Sequence, residues 1–143
     1  MFTAAPSVGA AMLAVGALDT RGRERGSDLG EYVRLGFEVG TALAVLELHD
    51  PKRFNTLSFA FGDDVHRAVG FLRSLPTGLL RGLSLQGAGS TFCAGGNPYG
   101  WRATELASLA CVLHESIRGF VAIGRLRVPV VAAVHGAMIG GAA

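Results

Sequence analysis

Two glycine-rich segments, each preceded by an apolar run, are the first candidates for chemistry. One contains Ala94, Gly95 and Gly96, and the other contains Gly140 and Gly141. Glycine lets a ligand atom approach the main chain, and a following helix N-terminus adds partial positive charge to the exposed N–H groups. Two such donors that converge on one oxygen form an oxyanion hole, which stabilises charge developing on a carbonyl. Ordinary tight turns are the alternative, because glycine-rich turns after strands are common.

Side chains beside these segments are weaker candidates. Cys93 could act as a nucleophile, but no histidine lies near it in the sequence, and a buried structural cysteine is the commoner case. His135 precedes the second segment, where we expect a hydrogen bond at a strand end rather than proton transfer. Cys111, His114 and Glu115 are spaced so that they share a helix face, and we expect no metal site there.

Three familiar catalytic and phosphate-binding motifs are missing from the sequence. A Walker A loop needs a lysine after its last glycine, and the chain's only lysine, Lys52, lies elsewhere. A dinucleotide fingerprint begins at Gly87, but Phe92 occupies its final glycine position. A nucleophile elbow around Ser84 has Gln86 in place of its second glycine.

The elements that must position the glycine segments follow from hydropathy. Alternating residues and a turn at 39–41 predict a β-hairpin, and a continuous apolar run near the end of the chain predicts a parallel strand buried on both faces. The predicted strands span 32–38, 42–48, 81–86 and 128–134, and the predicted helices span 57–75 and 101–126. On the first helix the predicted apolar face is Phe59, Val65, Ala68, Val69, Leu72 and Leu75, with Asp63, Asp64 and Arg67 off it. This order of strands and helices predicts the α/β class.

Composition narrows the functional classes. The chain has 143 residues, of which 50% are hydrophobic, and its 13 basic and 11 acidic side chains give a net charge of +2. Binding to a nucleic-acid backbone as the main activity needs a basic stripe, which the sequence lacks. Every apolar run is shorter than the roughly 18 residues of a membrane span. The two cysteines form no disulfide framework, which favours the cytoplasm. Residues 1–30 are interpreted as a leader or linker, with an organellar leader as the alternative.

Three segments together resemble the enoyl-CoA hydratase/isomerase (crotonase) family. They are 50–57 (DPKRFNTL), 85–96 (LQGAGSTFCAGG) and 129–141 (PVVAAVHGAMIGG), and they occur in the family's order and spacing. The resemblance covers about residues 32–143. It implies a crotonase-like ββα spiral that is truncated after the second glycine loop, with residues 31–143 as the N-terminal part of the domain.

The resemblance also implies a chemistry. In this family two backbone N–H groups polarise a thioester oxygen, and the matching positions are Gly96 and Gly141. Tyr99 is a candidate proton donor, with a packed or rim aromatic as the alternative. The residues that match the family's substrate-binding segments are Lys52, Arg53, Asn55, Thr56, Leu57, Ala94 and Gly95. The implied substrate is an acyl-CoA or an acyl-carrier-protein thioester. Coenzyme A enters as part of the substrate with no other cofactor, and the full-length family member is expected to be a homotrimer.

Departures from the family pattern leave alternatives open. Asn97 stands where many members carry Asp, and Pro98-Tyr99-Gly100 interrupts what is often a helix start. The hydratase glutamates are expected beyond Ala143. The chain could therefore be a non-catalytic fragment or pseudoenzyme. It could also be a decarboxylase or dehydratase of a polyketide β-branching pathway that acts on carrier-protein-bound acyl groups. A truncated domain is further expected to expose apolar surface.

Overall fold

The computed structural model describes residues 29–38, 41–97 and 106–143 of the chain. Within these ranges, strands and helices occur in the predicted order. They are β1 Val33–Glu38, β2 Leu43–Leu48, α1 Phe59–Ser74, β3 Gly82–Gly87, α2 Leu106–Ile123 and β4 Val130–Ala133. The four strands form one sheet in the order β1-β2-β3-β4. The α/β class predicted from the sequence is confirmed.

β1 and β2 form the predicted antiparallel hairpin. Their residues pair from Val33 opposite Leu48 to Glu38 opposite Leu43. Because side chains alternate between the two faces of a strand, every second residue of each strand enters the core. Leu35 and Leu46, which lie opposite each other, are both fully buried. The alternation in the sequence thus corresponds to one buried face of the hairpin.

β2, β3 and β4 are parallel neighbours. Parallel strands need crossover connections, and α1 and α2 lie in the two crossovers. The carboxyl ends of these strands therefore meet at one edge of the sheet, the usual place for a ligand site in α/β proteins. The segments that leave this edge are 49–57 after β2, 88–97 after β3 and 134–141 after β4.

The expectation that the last strand is buried on both faces is wrong for this chain. All four residues of β4 are exposed, and Val131 is 65% exposed. β4 pairs only with β3 and forms the sheet edge, so the described residues leave much of its apolar surface uncovered. Val134 and Ile139, which follow β4, are exposed as well. This bears out the expectation of an exposed apolar surface.

α1 begins where the sequence predicts. The hydroxyl of Ser58 caps the helix by accepting a hydrogen bond from the Phe61 N–H at 3.2 Å. The predicted helix face needs correction at its start, because Phe59 is 53% exposed and Phe61 is the buried aromatic. The Phe61 ring stacks between Tyr32 and Phe120, with ring centroids 5.9 and 6.5 Å away. Phe61 of α1 therefore contacts both α2 and the residue that precedes β1.

Asp64 was expected off the buried face of α1, and this too is wrong. Its carboxylate is buried and accepts hydrogen bonds from the Glu31 and Tyr32 N–H groups at 2.8 and 2.9 Å. Gly30 lies directly against this carboxylate. Two backbone donors offset the cost of burying the charge. The predicted leader, residues 1–30, lies outside the described ranges except for its last two positions, of which Leu29 is buried in the core.

The two helices approach closely through glycine. A Cβ added at Gly62 would lie 2.5 Å from the Glu115 and Ser116 carbonyl oxygens, and one at Gly119 would lie 2.7 Å from the Gly62 carbonyl oxygen. Side chains at these positions would force the helix backbones apart. In the described part of the chain, no helix is long and apolar enough to cross a membrane.

Candidate active site

The first glycine segment is fixed by backbone pairing with the segment after β2. The Leu57 N–H donates to the Gly95 carbonyl at 2.7 Å, and the Asn97 N–H donates to the Leu57 carbonyl at 3.2 Å. The residue between them, Gly96, forms a parallel bridge with Leu57. The Ala94 N–H is used in the same way, donating to the Phe54 carbonyl at 3.0 Å. Among the backbone hydrogen bonds of the described residues, none is donated by the Gly96 N–H.

The second glycine segment runs parallel to the first. The Cys93 N–H donates to the Ala137 carbonyl, and the Ile139 N–H donates to the Cys93 carbonyl, both at 3.1 Å. His135 is held twice, because its carbonyl accepts from the Phe92 N–H and its Nε2 lies 3.0 Å from the Gly89 carbonyl oxygen. The expected structural hydrogen bond of His135 at the strand end is therefore confirmed.

The structure brings the two glycine segments into contact. A Cβ added at Gly95 would lie 2.6 Å from the Ile139 carbonyl oxygen and 3.7 Å from the Gly140 Cα. Gly95 also has a φ of 81°, which favours glycine. Gly141 follows in a 3₁₀ turn, Gly140–Ala142, whose first N–H groups have no partner within the turn. This geometry places the Gly96 and Gly141 backbones in adjoining segments.

The surroundings of Gly141 are apolar. A Cβ at this position would lie 3.6 Å from Leu57 Cδ1 and 3.8 Å from Ile117 Cγ2. Leu57 thus borders both glycine segments, since it also pairs with Gly96. Ile117 of α2 was not predicted as a site residue, because its position in an amphipathic helix gives no sequence signal for contact with a distant loop. An apolar wall lowers the local dielectric and strengthens any hydrogen bond made beside it.

The predicted CoA-phosphate residues lie on an exposed turn. Lys52 and Arg53 belong to the 3₁₀ turn Pro51–Arg53, and both are exposed. The Arg53 guanidinium lies 3.6 Å from the Asp50 carboxylate and 5.9 Å from the Tyr32 ring centroid. A hydrogen bond with the Tyr32 side chain, followed by the charge of Asp50, raises the pKa of Arg53. Arg53 is therefore held in place, while Lys52 presents its ammonium group to solvent.

Asn55 is buried and Thr56 is half-buried in the same segment. The Thr56 hydroxyl donates to the Arg53 carbonyl and closes the turn. Asn55 is fully buried, and its side-chain amide is bonded to backbone groups of the chain. A direct substrate contact by the Asn55 side chain, expected from the family pattern, is therefore not offered by this geometry.

Cys93 is fully buried, and its thiol donates to the Asn55 carbonyl at 2.9 Å. Burial raises the pKa of the Cys93 thiol, which disfavours the nucleophilic thiolate. The predicted structural role of Cys93 fits this environment. Tyr99 lies outside the described residues.

The chain is similar to known proteins over most of its length. Residues 38–143 match the family model described as enoyl-CoA hydratase/isomerase. A probable enoyl-CoA hydratase of Rhodobacter capsulatus is 34% identical over 113 residues, which are 78% of this chain and 42% of that protein.

Solved structures show the same fold. The crystal structure of an enoyl-CoA hydratase from Bacillus anthracis superposes with a TM-score of 0.69 at 20% identity, covering 78% of this chain and 43% of that one. An enoyl-CoA hydratase/isomerase from Mycobacterium paratuberculosis gives a TM-score of 0.63 at 28% identity, covering 79% and 45%. The chain thus spans less than half the length of these relatives. With its crotonase fold and a family match over residues 38–143, the chain belongs to the enoyl-CoA hydratase/isomerase family.

Proposed function

We propose that this chain binds an acyl-CoA and polarises its thioester carbonyl with the N–H groups of Gly96 and Gly141, in a reaction of the enoyl-CoA hydratase/isomerase type. The observation that carries the proposal is the contact between the two glycine segments, in which Gly95 lies against Ile139 and Gly140. Preorganised backbone donors of this kind stabilise the enolate-like anion that forms when a thioester is activated.

Features of the chain support both proposed donors. The bonds on either side of Gly96 are made by Gly95 and Asn97, so the Gly96 N–H is held in position without being consumed. Gly141 lies in the first turn of a 3₁₀ helix, where N–H groups lack intrahelical acceptors. Donors that are fixed before the substrate arrives need no reorganisation during the reaction.

The remaining substrate contacts are proposed from the exposed turn after β2. Lys52 and Arg53 supply positive charge for the phosphates of coenzyme A, which enters as part of the substrate. Thr56 orders the turn through its hydrogen bond to the Arg53 carbonyl. Leu57, which pairs with Gly96, and Ala94, which is bonded to the Phe54 carbonyl, border the proposed thioester position. No cofactor beyond coenzyme A is proposed, and the homotrimer remains a prediction.

A second candidate function is thioester binding without turnover. Leu57 and Ile117, the side chains against Gly141, are both apolar and cannot transfer a proton. Among the described residues of the two glycine segments, the Cys93 thiol is buried and His135 Nε2 lies 3.0 Å from the Gly89 carbonyl oxygen. This environment supports carbonyl polarisation more directly than it supports proton transfer.

The carbonyl stretch of bound crotonyl-CoA, labelled with ¹³C at the thioester carbon, tests the proposal. Hydrogen bonds to the oxygen weaken the C=O bond, so we expect a lower infrared frequency for the bound than for the free ligand. Gly141→Pro removes one N–H at a position where a first helical turn tolerates proline, and the shift is expected to shrink. Gly141→Ala is the matched control, because its Cβ meets only ordinary contacts of 3.6 and 3.8 Å. Equal shifts for the two variants would contradict the proposal.

Two further measurements test whether the chain turns over its ligand and whether the acyl group is carried by coenzyme A. Loss of the enoyl absorbance on incubation with the chain would distinguish hydration from binding alone. If the chain hydrates the bound crotonyl-CoA, removal of one oxyanion donor is expected to lower the rate of hydration about 10²- to 10³-fold.

Crotonyl-pantetheine carries the same thioester without the adenosine phosphates. Binding that is equally tight without them would favour an acyl-carrier-protein substrate and argue against a phosphate contact by Lys52.

A further inference from the structure

Asn55 is a fully buried polar residue at the point where the three loops of the sheet edge meet. Its backbone is in the left-handed region, with a φ of 53°, and the preceding Phe54 has a φ of 56°. Asparagine tolerates this region better than most residues, whereas a bulky side chain such as Phe54 does so at a cost. Consecutive residues in this conformation indicate that surrounding contacts hold the turn in place.

The side-chain amide of Asn55 makes those contacts. Its oxygen accepts from the Asp50 N–H at 2.7 Å, which closes the loop after β2 upon itself. Its nitrogen carries two hydrogens and lies within hydrogen-bond distance of three carbonyl oxygens of the loop after β3, those of Ala88 at 3.0 Å, Thr91 at 2.8 Å and Phe92 at 3.1 Å, so one hydrogen is shared. The amide of one residue therefore joins two of the loops.

The same cluster extends to the third loop through residues adjacent to these carbonyls. Phe92, whose carbonyl accepts from Asn55, donates its own N–H to the His135 carbonyl at 3.0 Å. The next residue, Cys93, pairs with Met138, and its thiol donates to the Asn55 carbonyl. Asn55 thus lies at the centre of the bonds that set the first glycine segment against the second.

We propose that Asn55 is a positioning residue, whose side-chain amide fixes the distance between the loops that carry the Gly96 and Gly141 N–H groups. The inference rests on the proposed function for its consequence in chemistry, but the positioning itself can be measured without any substrate. An asparagine suits the place because it supplies an acceptor to Asp50 and donors to the β3 loop from a left-handed backbone. Aspartate would instead direct a second acceptor at carbonyl oxygens, and alanine would leave buried groups without partners.

Asn55→Gly is the variant that isolates the amide, since glycine adopts a φ near 53° without strain. Two variants serve as controls. Cys93→Ala removes the thiol that donates to Asn55 but leaves the amide bonds intact. Asp64→Ala removes a buried carboxylate that accepts hydrogen bonds from the Glu31 and Tyr32 N–H groups, so it lowers stability away from the glycine segments. The full chain is used in every case.

Amide hydrogen exchange measures the positioning. In Asn55→Gly we expect the Asn97 and Ile139 amides, which close the two glycine segments, to exchange at least about tenfold faster, the factor that corresponds to ~1.4 kcal/mol. Neither control is expected to change these two rates beyond its effect on global stability. The infrared shift of bound crotonyl-CoA is expected to disappear in Asn55→Gly and to persist in Cys93→Ala.

The outcomes separate the two proposals. Unchanged Asn97 and Ile139 exchange in a folded Asn55→Gly chain would overturn the positioning role, whatever the ligand does. A wild-type chain without an infrared shift would contradict the proposed function, and the exchange rates alone would then decide the role of Asn55. If Asn55→Gly does not fold, the wild-type chain provides the test. The Asn55 side-chain NH₂ must open together with the Asn97 and Ile139 amides, and independent opening would refute the inference.

Discussion

Gly95 and Gly140 lie backbone against backbone: a Cβ built on Gly95 would stand 3.7 Å from the Gly140 Cα. The contact is asymmetric. The same Cβ on Gly95 would be only 2.6 Å from the Ile139 carbonyl oxygen, whereas the nearest atom to a Cβ on Gly140 is 4.0 Å away. Both residues have a positive φ, 81° and 61°. The missing side chain at Gly95 therefore sets how closely the two loops approach.

Gly95→Ala and Gly140→Ala separate close approach from backbone strain. We expect Gly95→Ala to lower the free energy of unfolding by about 2–4 kcal/mol, which combines overpacking with a left-handed alanine. The Cβ of Gly140→Ala meets only the Gly95 Cα, at an ordinary van der Waals distance of 4.0 Å, so only the left-handed strain of about 1–2 kcal/mol is expected. Urea unfolding followed by circular dichroism gives both values. Losses of the same size would mean that the loops do not pack as closely as the structure shows.

A second pair of glycines tests the packing of α1 on α2. A Cβ at Gly62 would lie 2.5 Å from two carbonyl oxygens of α2, whereas a Cβ at Gly70 on the same helix meets nothing within 4 Å. We expect Gly62→Ala to destabilise the chain by about 1–3 kcal/mol, because the helices must move apart. Gly70→Ala should instead stabilise it by about 0.5–1 kcal/mol through helix propensity. Thermal unfolding of the two variants distinguishes these effects, and stabilisation by both would exclude the close helix contact.

The elements of this fold are predictable because their signals are local and periodic. Alternation marks the hairpin from Val33 to Leu48, and Ser58 caps α1 where the helical period begins. The meeting of the glycine segments also follows from the sequence. Parallel strands place their carboxyl ends at one edge, so loops after β3 and β4 must be neighbours.

What the sequence does not show depends on partners from distant segments. Asp64 looks like a solvent-facing carboxylate by helical period, and only the Glu31 and Tyr32 N–H groups explain its burial. Asn55 matches a family motif, but its bonds to a loop more than thirty positions away identify it as a structural centre. Ile117 reaches the site through helix packing, which hydropathy cannot specify. Whether a polar side chain is buried, and which distant residues a side chain contacts, depend on tertiary structure. Tertiary contacts therefore override the local sequence pattern.

Two arginines form ion pairs with Asp63, and one of these pairs joins α1 to α2. Asp63 accepts hydrogen bonds from Arg67 at 2.6 Å on its own helix and from Arg118 at 2.7 Å on α2. The hydrogen bond from Arg67, with the charges of Arg67 and Arg118, lowers the pKa of Asp63. Because the folded-state pKa lies below the unfolded value of about 3.9, the stabilisation is complete above that pH and is lost as the pH falls through the folded-state pKa.

A double-mutant cycle of Asp63→Asn and Arg118→Gln measures this contribution. We expect a coupling energy of about 0.5–1 kcal/mol at pH 7, modest because both side chains are partly exposed. The coupling should decrease towards zero once acid protonates Asp63, and 1 M salt should reduce it at neutral pH. Arg73→Gln, an exposed substitution in the last turn of α1, is the matched control and should be additive with Asp63→Asn. A coupling that persists at low pH would show that the Asp63 charge does not stabilise the contact between the two helices.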